Sequence, residues 1–233
     1  GGFFEDSKTS LVLRNYYFNR DFNDPGASKS KIEEWAQGTI LKFNSGYTPG
    51  VLGFGLDGIA MLGLKLDSGP QRSGSELLPV HDDGRSADDY GRVGVAAKMR
   101  LSATELMLGE LMPDIPLLRY DDGRLLPQTF QGTMLVSREL PGLNLQAGQY
   151  TDVSLRNSSN MQDLSAWAAP TVTSDGFNYM GAEYRFNEQQ TLVGAWHSQL
   201  EDIYQQSYLN LLHKQQFADW TLGANLGYFI DKE

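Results

Sequence analysis

Val51-Leu52-Gly53-Phe54-Gly55-Leu56-Asp57-Gly58-Ile59-Ala60-Met61-Leu62-Gly63-Leu64-Lys65-Leu66-Asp67 decides how this chain folds. In a strand, successive side chains point to opposite faces. Leu52, Phe54, Leu56, Leu62, Leu64 and Leu66 then share one face; Gly53, Gly55, Asp57, Gly63 and Lys65 share the other. Leucines on one side and glycines with charges on the other imply two different solvents.

The same period runs outward from this stretch. Val93, Val95, Ala97, Met99 and Leu101 oppose Arg92, Gly94, Ala96, Lys98 and Arg100. Between Gly142 and Asn157, Leu143, Leu145, Ala147, Val153 and Leu155 oppose Asn144, Gln146, Asp152, Ser154 and Arg156. Near the end, Trp220, Leu222, Ala224, Leu226, Tyr228 and Ile230 oppose Thr221, Gly223, Asn225 and Gly227. Weaker alternation covers Leu11–Arg20, Trp35–Asn44, Thr104–Leu111, Thr133–Glu139, Phe177–Phe186, Thr191–Leu200 and Ser207–Lys214. The pattern predicts about eleven strands of roughly ten residues, the length of a tilted strand that crosses a bilayer.

Connections alternate in length. Tight ones are Leu101–Thr104, Pro141-Gly142 and Asn187–Gln189; long ones run over 21–30, 68–88, 113–131 and 157–175. Short turns at one end and long loops at the other are the habit of an all-β, antiparallel transmembrane β-barrel. A soluble β-sandwich binding module also alternates, with shorter strands and a less glycine-rich polar face. Tyr16, Tyr17, Phe18, Trp35, Tyr47, Trp196, Trp220 and Tyr228 fall near strand ends and are read as interfacial girdles, the blander account being strand propensity.

Composition narrows the partners. With 19 Lys plus Arg against 29 Asp plus Glu, the net charge of −10 argues against nucleic acid. There is no cysteine, so disulfides and thiolate metal sites are excluded. No apolar run approaches the roughly 20 residues of a membrane helix. Gly1 does not open a leader, and any signal peptide is expected to have been removed. Asp82-Asp83, Asp88-Asp89 and Asp121-Asp122 read as solvated acids, so neither metal nor cofactor is assigned.

If the apolar faces meet lipid, Arg14, Arg20, Arg92, Lys98, Arg100 and Arg156 line a lumen. A charge at mid-depth on the lipid side costs about 2–4 kcal/mol. Rings of Arg and Lys select anions in pores, and a guanidinium matches a carboxylate with two hydrogen bonds. The competing account ties these cations to Asp57, Glu105, Asp152 or Glu183, where they only stiffen the wall. The stretch Pro113–Phe130 is too long for a hairpin turn and too apolar for a solvated loop. Folded inward, it would bury Ile115, Leu117, Leu118, Leu125 and Leu126, and turn Tyr120, Asp121, Asp122 and Arg124 toward a constriction.

Several strings resemble the OprD-like porins of pseudomonads: Arg14–Phe22, Glu34–Gly38, Ser45–Gly50, Gly53–Asp57 and Lys65–Pro70. The most specific is Asp122-Gly123-Arg124-Leu125-Leu126-Pro127-Gln128-Thr129-Phe130, followed by Ser137-Arg138-Glu139. The resemblance implies an outer-membrane barrel of roughly eighteen strands with its third loop folded into the lumen. It implies passive uptake of small carboxylate-bearing solutes, either basic amino acids or aromatic and cyclic monocarboxylates, along a ladder of arginines. Arg124, Arg20 and Arg156 match that ladder, with Asp114 and Asp122 as acidic loop partners. Outer-membrane lipid and lipopolysaccharide are the implied surroundings, and the channel is a monomer or a loose homotrimer.

About eleven strands do not close such a barrel. Residues 1–233 are therefore expected to be the N-terminal part of one porin domain, the remainder being missing from the sequence. The rival class is a barrel hydrolase built on His81, His197 or His213, without a Gly-x-Ser-x-Gly elbow to support it.

Overall fold

Strands with one apolar face pair edge to edge, and here they do so in chain order. The computed structural model describes all residues except Ser28, Pro70, Trp167 and Ala168, and except the side chains of 165–172. Pro70, the last residue of one family motif, thus lies outside the described residues. The wall opens with β1 (Lys8–Asp21), β2 (Lys31–Asn44), β3 (Leu52–Asp67), β4 (Asp89–Leu101) and β5 (Thr104–Leu111). A small hairpin, β6 (Asp114–Ile115) and β7 (Leu118–Arg119), stands in the loop that follows. The wall resumes with β8 (Thr129–Ser137) and β9 (Leu143–Ser154), which carries the side hairpin β10 (Gln162–Ala166) and β11 (Ala169–Ser174). It continues through β12 (Phe177–Phe186), β13 (Thr191–Leu200), β14 (Tyr204–Phe217) and β15 (Trp220–Lys232).

The pairing order is β1-β2-β3-β4-β5-β8-β9-β12-β13-β14-β15, antiparallel throughout. These are the eleven strands the alternation predicts. The hairpin β10–β11 was not legible, because 157–175 reads only as a polar loop. Among the described residues, β1 and β15 each pair on one side only.

The two faces differ as expected. Leu52, Phe54, Leu56, Leu62, Leu64, Val93, Val95, Leu209, Leu222 and Leu226 are all exposed on one face. So large an apolar surface is incompatible with water and marks contact with hydrocarbon. The opposite face buries Ala36, Ile40, Ile59, Met61 and Tyr90 beneath the long connections.

Two local readings are corrected by the structure. The register between β8 and β9 shifts so that Gln131 pairs with Asp152 while Gly132 pairs with Tyr150, leaving Thr151 as an extra residue. Such a bulge reverses the alternation beyond it. Val153 is therefore buried inside with Phe130 and Phe177, where the sequence pattern had placed Asp152. Tyr17, Trp35, Trp220 and Tyr228 are exposed, as the girdle reading requires. That reading fails at Tyr16 and Phe18, which share the inner face with Arg14, at Tyr47, which lies beneath Arg100, and at Trp196, which is buried. Trp196 lies flat where Gly181 has no side chain: a Cβ there would come within 2.1 Å of the indole.

Candidate functional site

The third long connection, residues 112–128, bridges the inner face. Ile115 packs among Phe130, Tyr150, Phe177 and Trp196 on the β8–β13 side, with Leu117, Leu118 and Tyr120 partly buried around it. Leu125 and Leu126 insert against Ala36, Ile40, Ile59 and Tyr90 on the β2–β4 side. Burial of each such side chain contributes about 1.5–3 kcal/mol, enough to hold the loop across the sheet. Gly38 gives Leu125 its seat, since a Cβ at Gly38 would lie 2.9 Å from Leu125 Cγ.

A second inward loop was missed by the sequence reading. Residues 68–88 bury Leu77 and Leu78 completely in the same cluster. The Glu34 carboxylate, buried on β2, anchors this loop by accepting from the Ser75 amide at 3.2 Å, the Ser75 hydroxyl at 2.8 Å and the Ser86 hydroxyl. A signal was available: Leu77-Leu78-Pro79 and Leu125-Leu126-Pro127 are the same tripeptide. Proline biases the leucine before it toward extended backbone, which lets both leucines reach the wall.

The predicted basic residues meet at the loop tips, but not as equals. Arg14 on β1 donates to both carboxylate oxygens of Asp122, at 2.5 and 2.8 Å. Arg156 lies just beyond the end of β9 and not on the strand, and it pairs with Glu76 of the second inward loop and with Asp121 at 3.1 Å. Arg124 has a different environment. Its Nε donates to the Ser75 carbonyl at 3.0 Å, and its guanidinium lies 5.1 Å from the Phe18 ring centre and 5.9 Å from that of Tyr16. None of the ion pairs among the described residues includes Arg124. Arg20, exposed farther along β1, stacks on Phe22 at 5.4 Å.

The other predicted residues are spread apart. Lys98 pairs with Asp57 at 2.8 Å and donates to the Ser45 carbonyl at 2.6 Å. Arg100 stacks on Tyr47 at 4.3 Å, near the short turn that joins β2 to β3. Burial and the nearby Glu105 push the Tyr47 phenol up to about 12. Arg92 is tied to Glu110 by two hydrogen bonds, 2.8 and 3.0 Å, so it stiffens the wall. Asp114 faces Arg119 at 3.7 Å in the small hairpin, away from the arginine cluster. Of the acids expected to neutralise the ladder, Asp57 does so; Asp152 is turned to the other face by the bulge.

The comparisons agree with this geometry. A family model described as "outer membrane porin, OprD family" matches residues 1–233. Porin-like protein GalP of Pseudomonas putida is 56% identical over 232 residues, which cover 100% of this chain and 56% of GalP. The chain thus spans little more than half the length of that relative. A crystal structure of Pseudomonas aeruginosa OpdK with vanillate superimposes with a TM-score of 0.92 at 68% identity, over 100% of this chain and 59% of OpdK. Pseudomonas aeruginosa OccK2 in complex with glucuronate gives 0.86 at 47% identity, over 99% of this chain and 56% of OccK2. The exposed face is therefore the lipid side of an antiparallel outer-membrane β-barrel. The chain belongs to the OprD family of outer membrane porins.

Proposed function

We propose that the channel to which this chain contributes carries small carboxylate-bearing solutes passively across the outer membrane, with Arg124 as the residue that receives the carboxylate. One observation carries this reading: Arg14 and Arg156 are neutralised by Asp122, Asp121 and Glu76, while Arg124 has no acidic partner among the described residues. A guanidinium held over two aromatic rings is preorganised, and its remaining N–H groups suit a carboxylate. Arg20, also stacked and outside the ion pairs, would lead solute toward it; Arg100 and Lys98 would continue the basic track below. Asp114, Asp122 and Tyr120 would shape the passage. Vanillate in OpdK and glucuronate in OccK2 are both carboxylates, which supports the solute class.

The substrates envisaged are basic amino acids or aromatic and cyclic monocarboxylates, moved without chemistry. We read residues 1–233 as one part of a single barrel domain, because an open sheet edge leaves backbone groups unpaired in hydrocarbon. Lipid and lipopolysaccharide would surround it as a monomer or loose homotrimer. The test is uptake of radiolabelled vanillate by liposomes bearing the complete channel. Arg124→Gln should lower the flux about ten-fold or more, as loss of a charge-assisted contact implies. Wild-type flux in that variant refutes the assignment.

A hydrolase reading draws on one specific contact, His197 Nδ1 at 2.8 Å from Ser207 Oγ. Both residues lie on the lipid side, and His197 Nε2 has no hydrogen bond among the described residues to orient it. A serine nucleophile needs an oriented base and an oxyanion hole. The transport reading is favoured.

A further inference from the structure

Beneath the third inward loop, on the side of the short turns, lies a cavity of about 200 Å³ that the arginine cluster does not reach. Its position follows from the register. Lys42 pairs with Ile59, and Asn44, the last residue of β2, pairs with Asp57. Lys42 therefore stands one rung above the short-turn rim and points to the inner face. Met112, at the root of the loop, roofs the cavity; Met107 of β5 and Met134 of β8 form its far wall.

The charges in this cavity do not cancel. Asp57 Oδ1 lies 2.8 Å from the Lys98 ammonium as an ion contact without a hydrogen bond among the described residues, and Glu110 is engaged by Arg92. Lys42 takes part in none of the ion pairs or side-chain hydrogen bonds among the described residues, so the cavity holds one uncompensated cation. Opposite it stand three thioether side chains, which are flexible, polarisable and tolerant of differently shaped apolar groups. A cation facing an adaptable apolar wall is matched by a molecule with a carboxylate at one end and an apolar body at the other. The volume falls below the roughly 300–1,000 Å³ of ordinary ligand pockets, so only one small solute fits.

We infer that this cavity is an exit-side binding site for small monocarboxylates, in which Lys42 holds the carboxylate and Met107, Met112 and Met134 hold the apolar body. The inference rests on the transport reading above, and it adds a second stop below the loop. Two weak sites in series let a solute leave the first without meeting the full cost of release at once, as multi-site conduction requires.

The test is single-channel recording on the complete channel in a planar bilayer, with benzoate added on the short-turn side. Lys42→Gln should shorten benzoate dwell times about ten-fold, and Lys42→Arg should keep them within about three-fold. Met134→Gln should shorten the dwell of benzoate but not of acetate, which has no apolar body to place. Barrels of each variant are first checked for folded mobility in unheated gels. If Lys42→Gln leaves benzoate dwell unaltered while Arg124→Gln shortens it, the exit site is overturned and the transport reading stands. Should Lys42→Gln act while Arg124→Gln does not, the exit site stands and the role of Arg124 falls. If neither variant changes the dwell, both readings fall.

Discussion

Arg14 on β1 and Asp122 at the tip of the third inward loop are joined by two hydrogen bonds, 2.5 and 2.8 Å long, across 108 positions of sequence. This pair fixes the charged tip of the loop, while Leu125 and Leu126 fix its apolar foot. Both side chains are partly exposed, so the pair is worth roughly 0.2–1 kcal/mol to stability. Its larger effect is on where the tip stands. In the complete channel, Gly123→Cys supplies a thiol in a background without cysteine. Adding Asp122→Asn should raise its labelling rate several-fold, and an unchanged rate would remove the strap from the account.

Gly38 tests the foot of the loop without changing any charge. A Cβ there would lie 2.9 Å from Leu125 Cγ and 3.0 Å from the Leu125 carbonyl, and the backbone atom cannot yield as a side chain would. Gly38→Val should unseat the loop at a cost of about 1–3 kcal/mol. Single-channel conductance in potassium chloride should rise in this variant. A conductance equal to wild type would mean the loop does not narrow the pore.

Glu34 does for the second inward loop what Leu125 does for the third. Glu34→Ala leaves the Ser75 amide and the Ser75 and Ser86 hydroxyls without their acceptor. Each buried group left unpaired costs about 1–3 kcal/mol. The loop should then be cut by protease near Arg85 at least several times faster than in wild type, with the strands still intact. Equal cutting rates would show that Leu77 and Leu78 hold the loop alone.

These tests also show what the chain declares and what it hides. The eleven wall strands were legible because a bilayer imposes a strict period of two, as in Leu52–Asp67. The period misleads at Thr151, where a single extra residue changes which of Asp152 and Val153 faces inward. Loop 113–131 announced itself through Ile115, Leu117, Leu118, Leu125 and Leu126, whereas loop 68–88 has a single pair of leucines, Leu77 and Leu78, in a mostly polar stretch. Arg14, Arg124 and Arg156 could be listed as lumen cations from parity and motif. Which of them keeps its charge depends on contacts such as Arg14 with Asp122, 108 positions apart, and no spacing rule reports those.

The short-turn rim gives a prediction for pH. The Ser102 hydroxyl, the Thr104 hydroxyl and the Ala103 amide all donate to Glu139, at 2.8, 2.9 and 2.9 Å. They hold its carboxyl below the usual glutamate range, the Ser102 bond being the largest influence. A depressed folded value means that the contribution is complete above the unfolded pKa of about 4.3 and is lost as pH falls through the lower folded value. The unfolding temperature of the complete channel should drop in Glu139→Gln at pH 7. The gap between variant and wild type should narrow as pH falls below about 4.3, and a gap that does not change with pH there would contradict the assignment.

Everything above depends on which side of the sheet touches oil. Spin labels at Leu62, Val95, Arg100 and Asn225 in the complete channel, reconstituted in lipid, report this by their relative accessibility to oxygen and to a water-soluble nickel complex. Labels at Leu62 and Val95 should favour oxygen, and those at Arg100 and Asn225 should favour nickel. The reverse pattern would place the arginines against hydrocarbon and end the account.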